Sequence, residues 1–186
     1  SAEFFTTVDP GLDDADLPMG NGGGGGVPLK NWVASLAFLK QLLPNAKRIG
    51  VPFNPAEDND KTNLTELHAA ATKAGLEIVE VGIDSTNDIA QRLQSLKGRV
   101  DVLFIIQSNL LQTSLPVIAA TAQRIGVPAI NTLDTPVRNG SFLAAYAVSY
   151  ERMGAAAGRA AARILRGEKP STIAPWRPGP SDYTPL

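Results

Sequence analysis

Cysteine is absent from this 186-residue sequence, and histidine occurs only once, as His68. The absence of cysteine excludes disulfides, thiolate nucleophiles and zinc or iron–sulfur sites built on cysteine. His68 falls inside a predicted helix rather than in a strand-end loop, which disfavours a Ser-His-Asp triad and predicts a surface or packing role. We therefore predict neither a metal site nor a cofactor.

An excess of charge of one sign and long apolar runs are also missing. The 17 basic and 18 acidic residues nearly cancel, and without a basic patch we predict no nucleic-acid partner. No apolar run reaches the roughly 18 residues that a membrane span needs, and Ser1 to Thr7 lacks the features of a signal peptide. Because the chain starts without methionine at a strand-like stretch, we expect a fragment or a processed chain.

The pattern that is present is an alternation of short apolar strands with helical segments. The predicted strands are Arg48 to Phe53, Glu77 to Val81, Val100 to Ile106, Val127 to Ile130 and Ser141 to Val148. The predicted helices are Asn31 to Leu43, Lys61 to Lys73, Ile89 to Leu96, Ser114 to Ile125 and Tyr150 to Leu165. Parallel strands need crossovers of this length, so the alternation predicts an α/β fold with a doubly wound parallel sheet. Val100 to Ile106 is almost wholly apolar, as expected for a parallel strand buried on both faces, so we expect it near the centre of the sheet.

Composition divides the chain into three predicted segments. Residues 1–30 hold one possible strand, Phe4 to Val8, and the glycine run Gly22 to Gly26, which we interpret as flexible rather than as a phosphate cradle because no Gly-Lys-Ser/Thr follows it. Residues 31–170 hold the predicted α/β unit, and residues 171–186 are a proline-rich crossing segment or tail. Gly154 and Gly158, four residues apart, predict close packing of the last helix on the sheet.

Polar clusters follow three of the predicted strands. They are Asn54 to Asp60, Gln107 to Asn109, and Asn131 to Asp134. Ligands of open parallel sheets bind outside the carboxyl ends of the strands, so these clusters are candidates for ligand capture. The alternative for the first cluster is a solvated loop and helix N-cap, since Asp and Asn are favoured there. It lacks the central glycine of a calcium loop. No cluster contains a nucleophile–base pair, so we predict no catalysis.

Several stretches resemble one solute-binding family of ABC importers, the group often labelled as tryptophan or aromatic amino-acid binding. They are Phe5 to Pro10, Leu42 to Val51, Asn54 to Glu57, Asn87 to Gln91 and Ala161 to Pro170. The resemblance implies a type I periplasmic-binding fold, in which two Rossmann-like lobes close on a small ligand. This chain would be the second lobe with crossing segments, and the first lobe would be missing from it.

The resemblance also implies a ligand site. By position, ligand-contacting residues of the family fall on Asn54, Glu57, Asn59, Ser108, Asn109 and Asp134. Asp134 would hold the ligand's ammonium or a hydroxyl. The chain departs from the family at two places. Asn59-Asp60 replaces the usual Asn-Ser, and Ser108-Asn109 replaces the usual Asp-Asn. The resemblance therefore does not decide the identity of the ligand.

The function implied is that of a receptor rather than an enzyme. It would bind a small polar or zwitterionic ligand, such as an aromatic amino acid, and present it to an ABC permease in the membrane. It would lie in the periplasm or another extracytoplasmic space, with a lipid anchor as one option. One alternative is the sensing domain of a regulator with the same fold. The other is an enzyme on a Rossmann sheet, which the missing Gly-x-Gly-x-x-Gly turn disfavours.

Overall fold

The structure, a computed structural model, describes residues 29–133, 135–148, 150–174, 176 and 182–186. The strands are β1 Arg48–Phe53, β2 Glu77–Gly82, β3 Val102–Ile105, β4 Ala129–Asn131, β5 Ala144–Val148 and β6 Tyr183–Pro185. The α-helices are α1 Leu29–Leu42, α2 Asp58–Ala74, α3 Ile89–Gln94, α4 Asn109–Gln112, α5 Leu115–Ile125, α6 Thr135–Arg138 and α7 Tyr150–Leu165. Short 3₁₀ helices span Thr86–Asp88 and Pro170–Thr172.

The strands form a single sheet in the order β2-β1-β3-β4-β5-β6. β1 to β5 run parallel, whereas β6 runs antiparallel to β5. All four residues of β3 are buried, and β3 lies third in the sheet. The predicted α/β fold with a doubly wound, mainly parallel sheet is thus confirmed, including the central place of this apolar strand.

Two layers of helix cover the two faces of the sheet. On one face, α1 and α2 bury a core that includes Trp32, Leu36 and Leu67, and the Trp32 ring meets Phe104 of β3 edge-on at 5.9 Å between ring centroids. On the other face, α3 and α5 bury a second core. Burial on both sides explains why the central strand β3 is apolar throughout.

Several predicted boundaries differ from the observed ones, and local chemistry explains the differences. Helix α2 begins at Asp58 rather than Lys61, because acidic residues in its first turn favour the positive end of the helix dipole. Strand β5 begins at Ala144 rather than Ser141, because a turn at Gly140 (φ 75°) precedes it and the N–H of Ser141 donates to Asn139 Oδ1. The predicted proline-rich tail contains a strand, β6, which pairs with β5 through Tyr183.

Helix α7 has the predicted limits but not the predicted packing. An added Cβ at Gly154 or Gly158 would meet no heavy atom of the described residues within 4 Å, so the prediction of close packing on the described sheet at these glycines is wrong. Phe4 to Val8 and Gly22 to Gly26 lie outside the described residues, and the division at residues 30 and 171 stays a prediction. Among the residues that the structure describes, no helix is long and apolar enough to cross a membrane.

Candidate functional site

The carboxyl ends of β1, β3 and β4 meet at one edge of the sheet because these strands are parallel. At this edge the structure brings six polar residues into one hydrogen-bonded group, which we call the strand-end cluster. Its members are Asn54, Glu57, Asn59, Asp60, Ser108 and Asn109. Five of the six residues predicted as a ligand site are therefore neighbours. The sixth, Asp134, lies outside the described residues.

The carboxylate of Glu57 is the centre of the cluster. Its Oε2 accepts hydrogen bonds from the backbone N and the Nδ2 of Asn109, both at 2.9 Å. Its Oε1 accepts from Leu110 N at 3.0 Å, Asn54 Nδ2 at 3.2 Å and Ser108 Oγ at 3.4 Å. Glu57 thereby ties the loop after β1 to the loop after β3, so the two candidate binding loops hold one relative position.

Opposing effects act on the ionisation of Glu57. Burial raises the pKa of Glu57, but hydrogen bonds from the backbone of Asn109 and Leu110 and from the side-chain amide of Asn54 outweigh it. The pKa of Glu57 consequently lies below its usual value of 4.5. The side chain is therefore a carboxylate at neutral pH, able only to accept hydrogen bonds.

Asp60 is the member of the cluster that the predicted site omitted. It is fully buried, its Oδ2 accepts the N–H of Asn54 at 2.7 Å, and its Oδ1 accepts Asn59 Nδ2 at 3.1 Å. Burial raises the pKa of Asp60, and the nearby Glu57 charge adds to the increase, while the hydrogen bond from the backbone N–H of Asn54 opposes it. The sequence did hold a signal for Asp60, since the family resemblance implied a serine at this position.

The end of β4 contributes a separate amide group. Gln112 Nε2 donates to Asn131 Oδ1 at 3.1 Å and to the carbonyl of Ile106 at 3.0 Å. Thr132 donates its backbone N–H to Asn131 Oδ1 at 2.8 Å and its hydroxyl to Ile105 O at 3.2 Å. Asn131 and Thr132 are buried, so these contacts stabilise the loop after β4 from within.

The other sequence candidates lie away from this edge or give no site. His68 Nε2 lies 2.7 Å from Glu80 Oε1, and both side chains are nearly half exposed, which gives His68 the predicted surface position. Within the described ranges, no group of three or more histidine, aspartate or glutamate side chains could hold a metal ion. The polar edge is thus the candidate that both the fold and the chemistry support.

Residues 29–179 match the sequence model of a family described as ABC transporter substrate binding protein. The chain belongs to this family. It is also 35% identical over 139 residues to the Tyrosine-binding protein of Clostridioides difficile strain R20291, a match that covers 75% of this chain and 40% of that protein. The predicted family resemblance is thereby confirmed, and the match supports the importer interpretation over the regulator alternative.

Solved structures of similar proteins agree with this result. A domain from Streptococcus pneumonia in complex with L-Trp is 29% identical, with a TM-score of 0.71 over 77% of this chain and 48% of that one. A ligand-free, open substrate-binding protein with adhesive properties from Clostridium difficile is 34% identical, with a TM-score of 0.64 over 81% of this chain and 50% of that one. The chain therefore spans about half the length, or less, of these relatives.

Proposed function

We propose that this chain is one lobe of the solute receptor of an ABC importer, and that the receptor binds an aromatic amino acid without transforming it. The observation that carries the proposal is the family match over residues 29–179. Similar proteins are described as tyrosine-binding or as a complex with L-Trp, which supports an aromatic amino acid as the ligand. A second lobe of similar size would complete the cleft, since this chain covers about half of such proteins.

The strand-end cluster would form this lobe's side of the cleft. Internal hydrogen bonds already use the carboxylate of Glu57, the hydroxyl of Ser108 and the Oδ1 of Asn54, which argues for supporting roles. Asn59, Asn109 and Asp134 would then contact the ligand, with Asp134 pairing with the ammonium. Closure of two lobes around the ligand would be the functional event.

The expected cellular location and partner of the receptor follow from this function. The receptor would work in the periplasm or another extracytoplasmic space, free or lipid-anchored, and would deliver its ligand to an ABC permease. It would need no cofactor and no catalytic residue. The family match supports this interpretation.

A thermal-shift screen of the two-lobed protein against the twenty amino acids tests the proposal. A ligand that binds only the folded state raises the melting temperature, by an amount that grows with the ratio of its concentration to Kd. We expect L-tyrosine or L-tryptophan to give the largest shift, with calorimetry confirming one site. Shifts with none of the aromatic amino acids would contradict the proposed ligand class. A shift with non-aromatic amino acids alone would replace the aromatic class by the class that gave the shift.

A further inference from the structure

The side-chain amides of Asn59 and Asn109 each present their NH₂ group to an acceptor in the protein. Asn109 Nδ2 donates to Glu57 Oε2 at 2.9 Å, and Asn59 Nδ2 donates to Asp60 Oδ1 and to the carbonyl of Gln107, both at 3.1 Å. Carbonyl and carboxylate oxygens cannot donate, so rotating either amide by a half turn would place two oxygens against each other. The acceptors therefore fix which end of each amide points inward.

The outward ends of the two amides are consequently oxygens. Within the described part of the chain, neither Asn59 Oδ1 nor Asn109 Oδ1 accepts a hydrogen bond. Asn109 is exposed and Asn59 is partly exposed at the carboxyl edge of the sheet. Two amide oxygens thus remain available to a group that brings N–H donors.

We propose that Glu57 and Asp60 are positioning residues that hold the amides of Asn59 and Asn109 with their oxygens toward the ligand, so that this lobe selects an ammonium group. The inference rests on the proposed function and goes beyond it, because it names residues that contribute to the selectivity without touching the ligand. An ammonium has only donors, so it matches two carbonyl oxygens. A ligand hydroxyl offers a single donor at the same place and matches them less well.

The hydrogen bonds of Glu57 argue against the simpler idea that this acid binds the ammonium itself. A carboxylate offers about four lone-pair sites. Five protein donors already approach the two oxygens of Glu57. Asp60 is fully buried and likewise directs both oxygens to protein donors. Both acids therefore act through the amides that they orient.

The decisive variant is Glu57→Gln in the two-lobed protein. Its side chain brings an NH₂ group into a place where every partner is a donor, and rotation of the Asn109 amide relieves the conflict by turning Oδ1 inward. A hydrogen bond to a charged ligand group is then lost. We expect the preference for L-tyrosine over 4-hydroxyphenyllactate, in which a hydroxyl replaces the ammonium, to fall about tenfold or more.

Two further variants separate this effect from loss of structure. The control, Glu77→Gln, alters an exposed acid at the amino end of β2 and should leave the preference unchanged. Asp60→Asn should lower the preference as Glu57→Gln does, because Asp60 orients the amide of Asn59. A ratio of two affinities does not move when a variant merely loses part of its folded fraction. A folded Glu57→Gln protein that keeps the wild-type preference would overturn the inference while leaving the proposed function intact.

A second measurement reports on the amides without any ligand. In ¹H–¹⁵N NMR spectra of the 186-residue chain, the Nδ2 signals of Asn109 should shift in Glu57→Gln and stay in place in Glu77→Gln. Unchanged Asn109 signals would overturn the positioning role directly. If the wild-type protein bound neither probe, the proposed ligand class would fail together with the ammonium selectivity, and the NMR signals would still decide the orientation of the amide.

Discussion

The carboxylate of Glu57 lies 2.9 Å from both the backbone nitrogen and the side-chain nitrogen of Asn109, a residue 52 positions further along the chain. The two residues follow different strands, β1 and β3, which are neighbours in the sheet. Their contact turns two separate polar loops into one surface with a defined pattern of donors and acceptors. The properties of the candidate site therefore depend on this pair as much as on the residues that would touch a ligand.

Removing the carboxylate of Glu57 should destabilise the chain in a pH-dependent way. The pKa of Glu57 is lowered from 4.5 in the folded state, so its contribution is present above about pH 4.5 and is lost as the pH falls below that value. We expect Glu57→Gln to lower the free energy of unfolding at pH 7 by about 1–2 kcal/mol, since it leaves donors without acceptors. Urea denaturation across pH 3–7 measures this, with Glu77→Gln as the control. If Glu57→Gln lowered the free energy of unfolding by the same amount at every pH in this range, the stabilising role of the ionised Glu57 carboxylate would be contradicted.

A carboxylate at the opposite edge of the sheet should also contribute to stability. Asp101 Oδ2 accepts the backbone N–H groups of Lys47 and Arg48, both at 2.8 Å, at the start of β1. These bonds hold the pKa of Asp101 below 3.8, so the stabilisation should fade as the pH falls below that value. Asp101→Ala should cost about 1–2 kcal/mol at neutral pH.

The same urea titration checks Asp101, and Asp84→Ala serves as a matched control because Asp84 is exposed. Asp101→Asn should be milder than Asp101→Ala, since one amide oxygen can still accept both N–H groups. Equal losses for Asp84→Ala and Asp101→Ala would show that the two backbone contacts contribute nothing measurable.

Two glycines should respond in opposite directions to alanine. A Cβ at Gly50 would lie 3.0 Å from side-chain atoms of both Leu103 and Leu96, whereas a Cβ at Gly154 would meet no atom of the described residues within 4 Å. We expect Gly50→Ala to destabilise by about 1–3 kcal/mol through overpacking. Gly154→Ala should stabilise by up to about 1 kcal/mol, because alanine is the better helix former. Thermal melts of the two variants decide this, and a neutral Gly50→Ala would mean that the side chains of Leu96 and Leu103 move aside at no cost.

Ligand affinity should depend on Asp134 and not on His68. If Asp134 pairs with the ligand's ammonium, Asp134→Asn should weaken binding by about 1.5–3 kcal/mol, the range for a hydrogen bond to a charged group. His68→Ala should leave the affinity unchanged, because His68 pairs with Glu80 on the surface. Titration calorimetry with L-tyrosine and L-tryptophan on the two-lobed protein measures both variants. Equal losses at the two positions, or no loss at Asp134, would show that the site is misplaced.

The local hydrophobic periodicity of the sequence was sufficient to predict the longer strands and helices. The limits of β1 at Arg48–Phe53 and of α7 at Tyr150–Leu165 agree with those predicted, because both segments carry their pattern over several residues. Short elements were missed for the opposite reason. Helix α4 has four residues and begins where Ser108 Oγ accepts the N–H of Leu111, and β6 has three residues that become a strand only by pairing with β5.

The sequence by itself determined the alternation of strands and helices, the parallel sheet, the edge where polar residues collect and the family resemblance. These follow from residue order, since hydrophobic periodicity and crossover length act over short distances along the chain. Only the tertiary structure decided that Glu57 turns inward to Asn109 and that Asp60 is buried beside it. Such contacts join loops about fifty residues apart. They exist only once β1 and β3 pair in register, with Ile49 beside Val102, and bring the two loops to one edge.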